Sequence, residues 1–142
     1  MSIKRISIPQ DFILGAAASA WQTEGWSGKR EGQDSWIDLW YKNDRHVWHN
    51  GYGPAVATDF INRFREDVAL MKQAGLTHYR TSINWSRFLI DYENAVVDET
   101  YAAWYDELFA EMHRQGIEPM ICLEHYELPG TLLETYGGWG SK

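Results

Sequence analysis

Gln73-Ala74-Gly75-Leu76-Thr77-His78-Tyr79-Arg80-Thr81-Ser82-Ile83-Asn84-Trp85 decides the fold, because its pattern returns as Gln115-Gly116-Ile117-Glu118-Pro119-Met120-Ile121-Cys122-Leu123-Glu124-His125-Tyr126. In both stretches a helical segment stops at glycine, an apolar residue follows, and a strand closes on a polar residue and then an aromatic one. The glycines lie 41 positions apart, and the same offset aligns Leu76 with Ile117, Asn84 with His125 and Trp85 with Tyr126. One helix and one strand per repeat is the unit of a parallel α/β sheet or barrel. In such folds the chemistry collects at the C-terminal ends of the strands. Those ends here carry Asn84, Trp85, His125 and Tyr126, residues suited to a polar ligand with apolar faces.

Working outward, Phe12 to Ala20 reads as a first strand, and its Gly and Ala residues suit a crowded barrel interior. A long excursion follows from Trp21 to Ala57, rich in Gly, Trp, Asp and His and without clear periodicity. Loops of that length are functional or disordered, and Trp26, Trp36, Trp40 and Trp48 weigh against disorder. A helix is predicted from Thr58 to Ala74, capped by Thr58 or Asp59, with Phe60, Phe64, Val68 and Met71 as its apolar stripe. The second strand is Thr77 to Ser82. A second helix runs from Asp98 to Arg114 with Tyr101, Trp104, Tyr105, Leu108 and Met112 as its stripe. The third strand is Ile117 to Leu123, and Thr131 to Tyr136 begins another helix. The expected fold is therefore α/β, about three βα units from the N-terminal part of a TIM (β/α)8 barrel. A whole barrel needs eight strands and about 250 residues, so residues 1–142 read as an incomplete domain that stops before strand 4. A small complete sheet is the alternative, and a poor one, because parallel strands need cover on both faces.

The net charge of −7 speaks against nucleic acid, whose phosphates need a basic patch. The basic pairs are Lys4-Arg5 and Lys29-Arg30. No apolar run approaches the roughly 18 residues that span a bilayer. Lys4-Arg5 followed by Phe12-Ile13-Leu14 loosely mimics a secretory leader, but Pro9 and Asp11 interrupt it. Cys122 is the sole cysteine, so no internal disulfide can form, and a reducing, cytoplasmic setting is expected. Within Met120-Ile121-Cys122-Leu123 it reads as a buried structural thiol.

The residues that carry chemistry are few. Arg80 stands in a buried strand, where an unpaired charge costs several kcal/mol, so either a partner carboxylate is implied or its head reaches solvent at the strand end. His125 can donate to a sugar hydroxyl or move protons. Glu124 tempts as a general acid, but neighbouring strand residues point to opposite faces, so it does not share a pocket with His125. Gln22 can donate and accept at once, which matches vicinal hydroxyls, and Glu24 is its rival. His46 and His49 have a loose metal-ligand spacing with nothing nearby to complete a site, and neither metal nor cofactor is expected. Glu93-Asn94 reads as a solvent-facing loop.

Taken in order, these motifs resemble the N-terminal part of family 1 glycoside hydrolases, the β-glucosidases and 6-phospho-β-glucosidases. The resemblance rests on Asp11 through Gly25, Ser35-Trp36-Ile37-Asp38, Asp67 through Lys72, Tyr79 through Arg87, Gly116 through Met120, His125-Tyr126-Glu127-Leu128-Pro129 and Tyr136-Gly137-Gly138-Trp139. It implies a TIM barrel and retaining hydrolysis of a small-molecule β-glycoside or its 6-phosphate. It implies that Gln22 and His125 bind hydroxyls of the non-reducing sugar, with Tyr126 and Asn84 at the pocket wall. It implies that Arg80 supports the nucleophilic glutamate. Tyr126 stands where the family usually has Trp, and Asn84 where it often has Ser. The family's acid/base glutamate closes the fourth strand in an Asn-Glu motif, and its nucleophile closes the seventh. Neither is in this chain, and a retaining glycosidase needs both carboxylates. The 142 residues alone are therefore expected to be inactive. Two other readings remain open: a non-catalytic carbohydrate-binding module, and a barrel fragment that self-associates through an exposed sheet edge.

Overall fold

The computed structural model describes residues 6–141, so Lys4 and Arg5 lie outside it. Element order is β1 (Gly15–Ala17), α1 (Ala20–Thr23), α2 (Trp36–Asn43), α3 (Phe60–Gln73), β2 (His78–Ser82), α4 (Trp85–Phe88), β3 (Leu89–Asp91), β4 (Val96–Val97), α5 (Glu99–Arg114), β5 (Glu118–Cys122) and α6 (Gly130–Tyr136). Single 3-10 turns occupy Arg45–Val47, His49–Gly51 and Gly138–Gly140. The main sheet is parallel in the order β1-β2-β5, with Ala17 beside Arg80, Arg80 beside Met120, and Ser82 beside Cys122. β3 and β4 form a separate antiparallel hairpin that carries Glu93-Asn94 into solvent.

The repeated motif has a local physical cause. Both long helices end on a glycine in the left-handed region, Gly75 at φ +80° and Gly116 at φ +71°. The next amide then turns back onto the helix, Leu76 to the Met71 carbonyl at 3.1 Å and Ile117 to the Met112 carbonyl at 2.9 Å. This ending satisfies carbonyls that the helix leaves open and aims the chain into a strand. The helical stripes form the core: Phe60, Phe64 and Val68 from α3 meet Tyr101, Tyr105, Leu108 and Met112 from α5 over Tyr79 and Ile117. Both helices thus cover one face of the sheet. Met120, Ile121 and Leu123, along and just beyond β5, remain exposed.

The boundaries differ from expectation where pairing or capping intervenes. β1 is shorter than Phe12 to Ala20, because its register with β2 runs only from Gly15 to Ala17 and Ala20 already starts a helix. Phe12, Ile13 and Leu14 are exposed. The expected cap of α3 is absent: Asp59 sits at the N-cap with φ 54° and its carboxylate receives the Asn62 side-chain amide at 2.7 Å, not a backbone N–H, while the Thr58 hydroxyl donates to the Thr23 carbonyl. Asp98 does cap α5, accepting from the amides of Thr100 and Tyr101.

The excursion that reads as aperiodic holds a regular helix. Ser35 and Asp38 close a capping box at the start of α2. Asp38 also receives the Trp26 indole at 2.6 Å and pairs with Lys29. Burial works to raise the Asp38 carboxyl, but Lys29 and Ser35 outweigh it and hold that carboxyl below its ordinary range. The loop is then fastened to the segment after β5, through the Trp36 amide on the Leu128 carbonyl at 3.0 Å and the Gly130 amide on the Asp34 carbonyl at 2.8 Å.

Candidate functional site at the C-terminal end of the sheet

Each strand of the sheet delivers one or more candidate residues at its C-terminal end or just beyond it. Gln22 lies in α1 after β1, Arg80 lies in β2, and His125 and Tyr126 follow β5. Arg80 does not meet the carboxylate that its strand position implies. Its guanidinium donates to the Ala18 carbonyl at 3.0 Å and to His125 Nδ1 at 3.0 Å, and among the described residues it has no acidic partner. The charge is only partly buried, so a carbonyl and an imidazole satisfy it.

That contact fixes the chemistry of His125. A guanidinium only donates, so Nδ1 must accept, and the neutral ring carries its proton on Nε2. Among the described residues no protein group takes that Nε2–H. Gln22 is exposed, with its amide oxygen receiving the Ser19 hydroxyl at 3.0 Å and its amide nitrogen unengaged within the described protein. Gln22 and His125 therefore both present free donors.

Tyr126 is half exposed and packs edge-on against His125, with ring centroids 5.1 Å apart. Its backbone lies at φ 73°. A bulky residue in this left-handed region is strained by roughly 1–3 kcal/mol, and strain of this kind gathers at functional sites. The Tyr126 amide is held by the Glu124 carboxylate at 2.7 Å, which gives Glu124 a structural task. From Tyr126 an aromatic chain runs through Trp36, Trp40 and Trp48 to Trp21, each step 5.6–6.0 Å between centroids. A hollow of about 340 Å³ opens among these side chains. Flat apolar rings beside free hydrogen-bond donors suit a sugar or its aryl aglycone.

Asn84 is placed differently from Tyr126. It is 3% exposed, its amide nitrogen donates to Glu24 at 3.2 Å, and its oxygen receives the Ser86 hydroxyl. It belongs to a buried cluster around Glu24, whose carboxylate also takes the hydroxyls of Tyr101 and Tyr105 and lies 3.8 Å from Arg87. Burial pushes the Glu24 carboxyl up, and Arg87 and these donors pull it back. Glu24, the rival to Gln22, is therefore engaged inside the fold. His46 and His49 are exposed, and no group of three or more potential metal ligands occurs among the described residues. No helix in the described residues is long and apolar enough to cross a membrane. Cys122 is half-buried and donates to the Glu124 carbonyl at 3.0 Å, so it is less enclosed than its apolar setting suggests.

Sequence reasoning passed over Glu127. It is fully buried, and its carboxylate receives the Ser82 hydroxyl at 2.6 Å, the Trp21 amide at 3.2 Å and the His125 amide at 2.9 Å. Burial pushes its pKa up to about 7, against the pull of those three donors.

The profile of glycosyl hydrolase family 1 matches residues 4–142. The chain is 36% identical over 135 residues to 6-phospho-beta-glucosidase GmuD of Bacillus subtilis (strain 168), covering 94% of this chain and 28% of that protein. It is 37% identical over 139 residues to beta-glucosidase 4 of Oryza sativa subsp. japonica, covering 96% and 28%. Among solved structures it superimposes on the AHE enzyme from Alicyclobacillus herbarius with a TM-score of 0.86 and 33% identity, covering 98% of this chain and 31% of that one. The chain thus spans under a third of the length of these relatives, and its parallel strands β1, β2 and β5 belong to βα units of a TIM barrel.

Proposed function

This chain belongs to glycosyl hydrolase family 1, and on that premise we propose that it forms the sugar-holding side of a retaining β-glycoside hydrolase. Gln22 and His125 bind hydroxyls of the non-reducing sugar, Tyr126 walls the pocket, and Arg80 supports a nucleophilic carboxylate supplied from outside these 142 residues. The observation that carries this reading is the Arg80–His125 hydrogen bond at 3.0 Å, which dictates a free Nε2–H on a residue that follows β5, while the exposed Gln22 follows β1 of the same sheet. Retaining hydrolysis uses two carboxylates about 5–5.5 Å apart, one as acid then base and one as nucleophile. The two buried carboxylates near the strand ends are committed elsewhere, Glu24 to tyrosines and Glu127 to backbone amides. Binding without turnover is the consequence for this chain alone. Relatives named for 6-phospho- and aryl-phospho-β-glucosides support a phosphorylated substrate, and we place the activity in the cytoplasm, where such sugars and a free thiol fit.

Titration with methyl β-D-glucoside and its 6-phosphate, followed by a p-nitrophenyl β-glucoside assay, tests the proposal. The chain should bind at least one sugar weakly, His125→Ala should weaken that binding about tenfold, as loss of one well-placed hydrogen bond does, and no nitrophenol should be released. Steady turnover by these residues, or full affinity in His125→Ala, contradicts it. A second reading, self-association through the sheet, is favoured by the exposure of Ile13, Met120 and Leu123. A monodisperse monomer on sizing counts against that reading.

A further inference from the structure

Resting on the sugar-binding reading above, we propose that Glu127 is a positioning residue: one buried carboxylate that locks the segments after β1 and β5 to the end of β2, and so holds Gln22 and His125 at a common site. The geometry is specific. Oε1 takes the Trp21 amide and the Ser82 hydroxyl, and Oε2 takes the His125 amide. Trp21 precedes Gln22, and His125 is itself a sugar-binding candidate. Ser82 passes the link on, since its hydroxyl also accepts the Ala20 amide at 2.8 Å. One side chain thus joins the end of β2 to the segments that lie past the last paired residues of β1 and β5.

Nothing cheaper explains a carboxylate with no exposed surface here. It has no salt-bridge partner among the described residues, and three donors from three segments converge on it. The strained Tyr126 backbone lies between His125 and Glu127, and that turn is what lets the carboxylate fold back onto the His125 amide. Of the neighbouring charges, Glu24 from the α1 side works to raise it; Arg80 from β2 donates to the His125 ring, and Glu124 and His125 stand on its own segment. Glutamine cannot copy the clamp. Its amide nitrogen must face either the Trp21 or the His125 N–H, donor against donor, so one end comes free. It also removes a buried charge, so the fold should survive the exchange.

Amide and imidazole NMR of the 142-residue chain between pH 5 and 8.5 tests the clamp, and its first readout needs no variant. The Trp21 and His125 amide protons, remote in sequence, should shift together with one midpoint near the Glu127 value of about 7. In Glu127→Gln neither should show that step, one of the two should move upfield, and the His125 ring nitrogens should drift from the Nε2–H pattern toward a tautomer average. Affinity for methyl β-D-glucoside should fall about tenfold, the worth of one lost hydrogen bond. Separate midpoints for the two amides, or a His125 ring unchanged in Glu127→Gln, overturn the proposal. A wild-type chain that shows the shared midpoint yet binds no sugar overturns the function proposed above and not the clamp, whose ring signature is read without sugar.

Discussion

Arg87→Met should lower the unfolding free energy by about 3–5 kcal/mol in urea denaturation, the cost of breaking a buried ion pair from one side. Arg87 is 2% exposed, and so is Glu24 beside it. Its guanidinium donates to the carbonyls of Ser27 and Gly25, which ties the start of the long loop to α4. Methionine keeps most of the volume, so the loss measures polar contacts and not a cavity. Without the cation, two carbonyls lose donors and Glu24 keeps only neutral ones, which burial alone does not tolerate in its ionised form. A domain of this size has roughly 5–15 kcal/mol in total, so the variant stands near its threshold. Glu24→Gln should also destabilise, by stranding Arg87, and the double variant should cost less than the two singles added together. Additive losses would mean that the pair is not coupled.

Stability should fall as pH rises from about 4.5 to about 7, by about 3 kcal/mol from Glu127 alone. The sign follows from the proton count. Burial raises the folded pKa of Glu127 to about 7 from its ordinary 4.5, so in that window the folded state binds more protons than the unfolded one. Raising the pH then favours unfolding until the folded group has itself ionised, and the slope ends above pH 7. Glu24 is shifted in the same direction by burial. The clean measurement is the difference between the wild type and Glu127→Gln in urea denaturation at several pH values, because contributions from Glu24 and the histidines then largely cancel. The difference should grow through the window in favour of the glutamine variant. A flat difference would mean that Glu127 titrates in the ordinary carboxylate range.

The helices were legible because period and punctuation agreed. Phe60, Phe64, Val68, Tyr105, Leu108 and Met112 recur on one helical face, and all six lie in the core. Gly75 and Gly116 mark the turns because only glycine takes that backbone without strain. α2 was hidden because its helical signal is brief and sits among glycines and tryptophans, with the capping pair Ser35 and Asp38 as the one sharp cue. The contacts that Arg80 makes within this chain were not legible, because its side chain reaches the Ala18 carbonyl just past β1 and His125 in the loop after β5. Glu127 went unread for a related reason. Strand alternation set Glu124 aside, whereas β5 ends at Cys122 and the left-handed Tyr126 turn, not alternation, brings the Glu127 carboxylate onto the His125 amide. Its value lies in contacts with Trp21 and Ser82 that no local window contains.

The most direct measurement is an amide and side-chain NMR titration of this chain with methyl β-D-glucoside and its 6-phosphate. Signals of the Gln22 amide, the His125 Nε2–H and the Tyr126 ring should move together along one binding curve while the α3–α5 core stays still. Three unrelated curves, or shifts confined to surfaces remote from the ends of β1, β2 and β5, would contradict a shared sugar site.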